Sequence, residues 1–395
     1  MTNEELIQKA VITTDALAAS GKLNPVQSDR FIDYVIDETV LKNNARIVRF
    51  RNETLEIDKI GIGTRVSMPK AEAQDPGLRR GVTTSKVSLT PKEIITPFEI
   101  GDLFKEVSIE GDMVEDHIVK MMATATGNDL EELYINGNTL GPAILESDYK
   151  DGGSTTQYVK DAYLALQDGW GKLATGANVV DAEGANVGLS IFGKLLRAMP
   201  TKFRRNKGNL RWFLSPDLWQ LYLEKLATRA TALGDQAAAG GELGPFGVKA
   251  VPVPLWDLQP QIVAHVALSG TTQVSLGFAP VSNVVVTVNT LGNTPLTPYV
   301  ETTDYVVDYA AGLINRTGGG AISDPETVKV TFNANPQIIL THQSNFIVGI
   351  GRDIKIEKDR NIYKGTNEYA IHSRVSVNFE ELDAIAFAKN IGTDV

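Results

Sequence analysis

Residues 112–137 read DMVEDHIVKMMATATGNDLEELYING, the strongest helix pattern in a chain of 395 residues. Asp112 and Glu115 fit a capping box, and Glu115 and Asp116 put negative charge at the positive end of the helix dipole. Val114, Ile118, Met122 and Ala125 form one stripe, resumed by Leu130, Leu133 and Tyr134 after Gly127-Asn128. Asn136-Gly137 supplies the stop signal. A helix over this span is about 37 Å long. Its stripe is one face wide, which predicts a helix lying on a sheet rather than inside a bundle.

Upstream, Asn24 and Pro25 open a second amphipathic pattern through Phe31, Ile32, Val35, Ile36 and Val40, ending near Leu41. Such a helix serves core packing or an arm docked on a neighbouring subunit. Between the two helices the chain turns β-prone. Ile47, Val48, Phe50, Leu55, Ile57, Ile60 and Ile62 lead up to a polar, turn-rich stretch, Pro69 to Gly81, and Val82, Thr84, Val87 and Leu89 follow it. Two strands with so long a polar tip predict a protruding hairpin, which by itself is barely stable in water. Something must pack against it.

Downstream, residues 138–190 are loop-rich, with one helix predicted from Gln157 to Leu166. Residues 190–256 read helix (Ile191–Met199), strand (Arg211–Leu214), helix (from Ser215-Pro216-Asp217 to Leu226) and strand (Val248–Val253), a mixed α+β layer. From 278 to 335 the strand signals Val284–Val288, Tyr305–Tyr309 and Val328–Phe332 stand between Gly- and Pro-bearing turns, which predicts a small inserted β domain. The chain finishes on β-rich segments at 347–356 and 369–379 and a short apolar stretch at 385–387.

The composition is that of an ordinary globular protein, 43% apolar and 22% charged, with chain enough for two or three domains. Lys and Arg number 38 against 48 Asp and Glu, a net charge of −10 that argues against wholesale nucleic-acid binding. The absence of Cys excludes disulfides, thiolate metal sites and a Cys nucleophile. The acidic start Met1-Thr2-Asn3-Glu4-Glu5, with no apolar stretch after it, argues against a secretory signal, and no run approaches the length of a membrane span. His117, His265, His342 and His372 form no metal-ligating pair. Gly61-Ile62-Gly63 and Gly349-Ile350-Gly351 both lack the third glycine of a dinucleotide loop. No catalytic, cofactor or metal-binding residue is therefore assigned, and no enzyme activity.

Charge layout says more. Between Glu183 and Asp217 stand seven bases and no acid: Lys194, Arg197, Lys202, Arg204, Arg205, Lys207 and Arg211. Residues 99–116 carry seven acids, Glu110 and Asp112 among them, against the single Lys105. These are two solvated faces, or two surfaces through which copies of the chain register against each other.

The order of elements resembles that of tailed-bacteriophage major capsid proteins, the Hong Kong-type capsid fold shared in outline with encapsulins. Asn128-Asp129-Leu130-Glu131-Glu132-Leu133-Tyr134-Ile135-Asn136-Gly137 is similar to the end of that family's spine helix. Leu214-Ser215-Pro216-Asp217-Leu218-Trp219, with Phe246-Gly247-Val248-Lys249-Ala250-Val251-Pro252-Val253-Pro254 after a loop, resembles its axial strand–helix–strand passage. Asn345 to Ile350, through Ile371-His372-Ser373-Arg374-Val375 to Asp383-Ala384, resembles the returning segment.

The resemblance implies an α+β fold with an N-terminal arm (1–48), an extended-loop hairpin (49–100) and a peripheral domain with the spine helix (101–189). It further implies an axial domain (190–277 and 336–360), interrupted by the inserted β domain (278–335), and a return to the peripheral domain (361–395). It implies a structural protein that assembles with itself into hexamers and pentamers of an icosahedral head around the phage genome, in the host cytoplasm, and resides in the virion. A separate scaffolding protein, a portal, decoration proteins and weakly held double-stranded DNA are the implied partners; no cofactor and no membrane is. Lys70, Arg79, Arg80, Arg204, Arg205, Glu110 and Asp112 are the candidate subunit-interface residues. An encapsulin-like compartment is the alternative within the fold, and a β-rich carbohydrate- or adhesin-type binding protein the alternative outside it.

Overall fold

The computed structural model describes residues 11–12, 40–61, 67, 83–108, 113–150, 152–228, 244–289 and 298–393. Two five-stranded sheets carry the body. The first has the order β1 (Val11–Ile12), β5 (Lys92–Gly101), β19 (Thr366–Phe379), β18 (Phe346–Asn361) and β2 (Arg46–Arg49). Its centre is the long β18–β19 hairpin, paired from Phe346↔Phe379 out to Asn361↔Thr366. The second has the order β10 (Lys249–Pro252), β9 (Leu210–Leu214), β17 (Ile338–His342), β20 (Ala386–Lys389) and β8 (Asn178–Asp181).

The decisive helix, α3, runs Met113–Asn136. Val114 and Ile118 at its start are buried with Phe98, Ile100, Tyr369 and Ile371 of the first sheet and with Phe104 of α2 (Asp102–Val107). Leu130, Leu133 and Tyr134 at its end join a second core with Phe213, Phe346, Phe387 and Trp170. The helix therefore lies along the body as its stripe predicts. Gly137 ends it for a different reason than a left-handed cap. A Cβ there would come within 2.5 Å of the Gln167 carbonyl oxygen and 2.6 Å of that of Leu133, so only glycine admits the returning chain.

Strand β9 explains why the second sheet has two covered faces. Phe213 enters the core shared with α3, whereas Leu210, Trp212 and Leu214 face α6 (Leu189–Ala198) and α8 (Pro216–Ala227). Ser215 caps α8, its hydroxyl accepting from the Leu218 N–H at 3.3 Å, with Pro216 in the first turn.

Several expectations change. Residues 24–39, the bulk of the expected N-terminal helix, lie outside the described residues; a short helix, α1 (Leu41–Asn44), follows them. The segment 157–166 is not an α-helix; only Leu164–Leu166 winds, as a single 3-10 turn. Tyr158–Lys160 pairs as β7 with β6 (Ala143–Leu145), and Asp161 Oδ1 then accepts from the Tyr163 and Leu164 N–H groups, a local turn that competes with helix growth. The two-stranded ladder is shorter than 49–100: β3 (Leu55–Gly61) pairs with β4 (Thr83–Leu89), and β5 already belongs to the first sheet.

The β-rich unit begins at Gln261, before the expected 278. β11 (Gln261–Leu268) pairs along its length with β16 (Glu326–Ala334), which also pairs with β13 (Val281–Val288). β12 (Val274–Ser275), β15 (Leu313–Arg316) and β14 (Tyr305–Asp308) form a second small sheet. Val266, Leu268, Val286, Val330 and Phe332 pack against Tyr305, Val307 and Ile314 in a core of their own.

Candidate assembly surfaces

Among the described residues the ladder β3–β4 is held to the body from its base, Leu55↔Leu89, as far out as Lys59. Val87 and Leu89 are buried, Leu89 lying against β18 near Gly349. Lys59 donates to the Glu380 carbonyl and lies 3.4 Å from Glu381 Oε2, and Asn378 Nδ2 donates to the Ser88 carbonyl at 3.1 Å. Glu56, Asp58, Thr84, Ser85 and Lys86 stay exposed on the two strands. The expected tip residues Lys70, Arg79 and Arg80 lie outside the described residues.

A second surface forms where α2, the start of α3 and the β18–β19 turn meet. The Asp102 N–H donates to the Gly365 carbonyl at 2.9 Å, closing the turn onto α2. Glu115 ties the corner together. Its carboxylate takes Lys105 at 2.5 Å and also Lys358 and the Tyr369 hydroxyl. Burial pushes the Glu115 carboxyl up, but the hydrogen bonds from Lys105 and Lys358 outweigh it and hold it below its usual range. Around this rigid corner Leu103, Val107, Met113, Ile362 and Tyr363 are exposed, Ile362 at 81% and Tyr363 at 103%. Large apolar side chains gathered on one corner are the mark of a surface meant to be covered.

The two charged stretches behave differently from one another. Three of the five described acids of 99–116 are answered within the chain: Glu99 by Lys364 at 3.3 Å, Asp102 by Arg360 at 3.2 Å, and Glu115 as above. Their partners sit on the β18–β19 hairpin, hundreds of residues away, where sequence reading has no view of them. Glu110 and Asp112 lie outside the described residues. The basic run, by contrast, stays unanswered. Lys194, Arg197, Lys202, Arg205 and Lys207 are exposed. Arg204 donates to Thr201 Oγ1 at 3.1 Å, and Arg211 to the Gly208 and Leu210 carbonyls. Among the described residues none of the seven has a carboxylate within ion-pair distance.

Sequence reading missed an inward-facing lysine. Lys329 stands opposite His265 and Thr287 in the paired strands β16, β11 and β13, and it is only 3% exposed. Burial, reinforced by nearby Lys160, lowers its ammonium from 10.5 to about 8. The strand alternation was the available signal: Val328 and Val330 line the small core, so Lys329 must point the other way.

Among the described residues no group of three or more His, Asp or Glu is placed to hold a metal ion, and no helix is long and apolar enough to cross a membrane.

No protein-family model matches this chain. Over 388 residues it is 28% identical to the "Putative prophage capsid protein YqbE" of Bacillus subtilis (strain 168), with 98% of each chain covered. The capsid of a native GTA particle superimposes with a TM-score of 0.51 at 13% identity, over 96% of this chain and 99% of that one. The capsid of cyanophage P-SCSP1u superimposes with a TM-score of 0.50 at 7% identity, over 100% of this chain and 99% of that one.

Proposed function

We infer from a chain that has the Hong Kong-type capsid fold that it is a structural tile of a phage head, one that assembles with copies of itself into hexamers and pentamers of the icosahedral shell. The observation that carries this reading is the end-to-end likeness, in sequence and in fold, to capsid proteins. Two surfaces support it: a two-stranded hairpin with exposed residues on both strands and an apolar corner left in water, both of which a neighbouring copy would cover.

In this reading α3 is the spine of a peripheral domain built on the first sheet, and the second sheet with α6 and α8 is the axial domain. The unit from Gln261 to Ala334 is a surface addition to the minimal fold. The β3–β4 hairpin lies over the adjacent subunit, and Arg204 and Arg205 belong to a contact between copies. Scaffolding, portal and decoration proteins complete the particle, and packaged DNA meets the wall weakly because the chain is acidic overall. The particle is assembled in the host cytoplasm, and the protein remains in the virion.

Sedimentation and negative-stain microscopy of the purified full chain test the reading. Capsomer rings or closed shells are expected. A monodisperse monomer at every concentration overturns it. Nucleic acid inside particles recovered from the host separates a phage head from an encapsulin-like compartment.

A further inference from the structure

The second sheet is electrically polar from end to end. Strands β9 and β10 run parallel, with Arg211 opposite Lys249 at their starts. The basic run is gathered at this end. His342, at the end of antiparallel β17, pairs with Leu210, and its Nε2 lies 2.9 Å from the Phe203 carbonyl oxygen, which fixes the 201–207 segment beside the strand starts. Arg197 arrives on the last turn of α6.

The other end of the same strands is acidic. β9 ends at Leu214 and Asp217 follows in the first turn of α8; β10 ends at Pro252 and Asp257 lies just beyond. The end of α3 is bound to this place by the Asn136 side chain, which donates to the Leu255 carbonyl at 3.2 Å. It brings Asp129 and Glu132 alongside. Burial first, then the neighbouring charges of Asp129, Asp161 and Asp257, raises the Glu132 carboxyl, and Asp257 is raised by burial and by Asp217. Asp129, Asp217 and Asp257 are exposed and make no ion pair among the described residues. At the rise of a strand, five residues of β9 hold the two ends about 17 Å apart, so one copy cannot satisfy its own charges.

We propose that Lys202, Arg205 and Lys207 of one copy dock against Asp129, Asp217 and Asp257 of the next, a head-to-tail contact between opposite ends of the second sheet. Such a contact is heterologous and closes into rings when the rotation allows. It differs from the complement expected at 99–116, where Glu99, Asp102 and Glu115 are engaged with Lys364, Arg360, Lys105 and Lys358, and where Glu110 and Asp112 lie outside the described residues. It rests on the self-assembly reading and gives that reading a register. DNA phosphate is the rival partner for the basic run, but it would leave the acidic end unexplained.

Four full-length variants test it: K202E/R205E/K207E, D129K/D257K, the combination of these two, and a neutral K202Q/R205Q/K207Q. Each single-end reversal sets like charges face to face and should cut particle yield at least about tenfold, while the unfolding midpoint of the unassembled chain holds. The combined variant reverses both ends and should recover most of the yield. The neutral variant K202Q/R205Q/K207Q, free of introduced repulsion, should lower yield and flatten its salt dependence. Wild-type yield from either single-end variant, or no recovery in the combination when it folds, overturns the proposal. So does a normal yield of nucleic-acid-poor particles from K202E/R205E/K207E, which would give the run to DNA. A wild-type chain that never forms particles overturns the shell reading itself, a result distinct from all of these.

Discussion

Glu131, fully buried near the C-terminal end of α3, accepts the main-chain N–H of Leu41 across 90 residues of sequence. The carboxylate thereby occupies the N-terminal end of α1, where a helix has free N–H groups to offer an anion. Leu41 itself is buried in the core around α3, and β2 follows at once to pair with β18. One side chain thus decides where the N-terminal segment meets the body. Replacing Glu131 by Ala should cost about 2–3 kcal/mol, the range for a hydrogen bond to a charged group. The loss should fall on residues 41–49, read as faster amide exchange there with little change in β19. Uniform loosening of the whole chain would show that Glu131 is simply a core residue.

Glu115 makes a pH-dependent prediction. Its folded-state carboxyl is held below the usual 4.5, so its contribution is present above that value and is lost as pH falls through the lower folded one. Glu115→Gln keeps an acceptor for Tyr369 and gives up the attraction of Lys105 and Lys358. The variant should be less stable than the parent by about 1–2 kcal/mol at pH 7. The gap should narrow as pH falls below 4.5. Denaturant melts at several pH values check it, and a gap that does not shrink as pH falls would assign the effect to packing.

Much of this architecture is written in local periodicity. The stripe of α3, the Arg211–Leu214 strand signal of β9 and the Ser215-Pro216 start of α8 each involve neighbours in sequence, and each predicts its element correctly. What stayed hidden depends on distant partners. β11 resembles any half-buried strand until β16 is known, so the start of the β unit is not visible at Gln261. The acidic stretch 99–116 looks like an open surface until the bases of the β18–β19 hairpin fold onto it. The Tyr158–Leu166 segment has helical spacing, yet strand pairing and the Asp161 turn win locally. The basic run of 194–211 was legible as charge, while its place at one pole of a sheet was not.

Lys329 offers a stabilising change. Its ammonium is disfavoured first by burial and then by Lys160, so the folded chain releases this proton more readily than the unfolded chain does. The cost is full below about pH 8 and fades as pH rises toward 10.5. Lys329→Met keeps the length of the side chain without the charge. It should stabilise the protein by up to about 3 kcal/mol at pH 7, from a depression of 2–3 pH units. That advantage should shrink above about pH 8 and vanish only above 10.5. Thermal melts of both proteins across this range decide it. A variant that is less stable at pH 7 would mean that the amine has an anionic partner in the folded protein.

The last prediction concerns the joint between the two sheets. Phe346 opens β18 of the first sheet, and its ring meets Phe213 of the second sheet edge-on at 4.7 Å between centroids. Trp170 meets the same ring at 4.8 Å and Phe379 at 5.2 Å, and the Trp170 indole N–H donates to the Asn378 carbonyl at 3.1 Å. All four rings are fully buried, so the joint is a single packed cluster rather than a set of separable contacts. Phe346→Ala should therefore cost about 3–5 kcal/mol, transfer and cavity terms together, whereas Phe346→Leu fills most of the space and should cost markedly less. Because Trp170 and Phe213 both lean on the lost ring, Phe346→Ala and Phe213→Ala should be strongly non-additive, the double variant costing less than the sum. Denaturant unfolding of the four proteins in a double-mutant cycle measures this coupling, and additive losses would show that the two sheets are held together elsewhere.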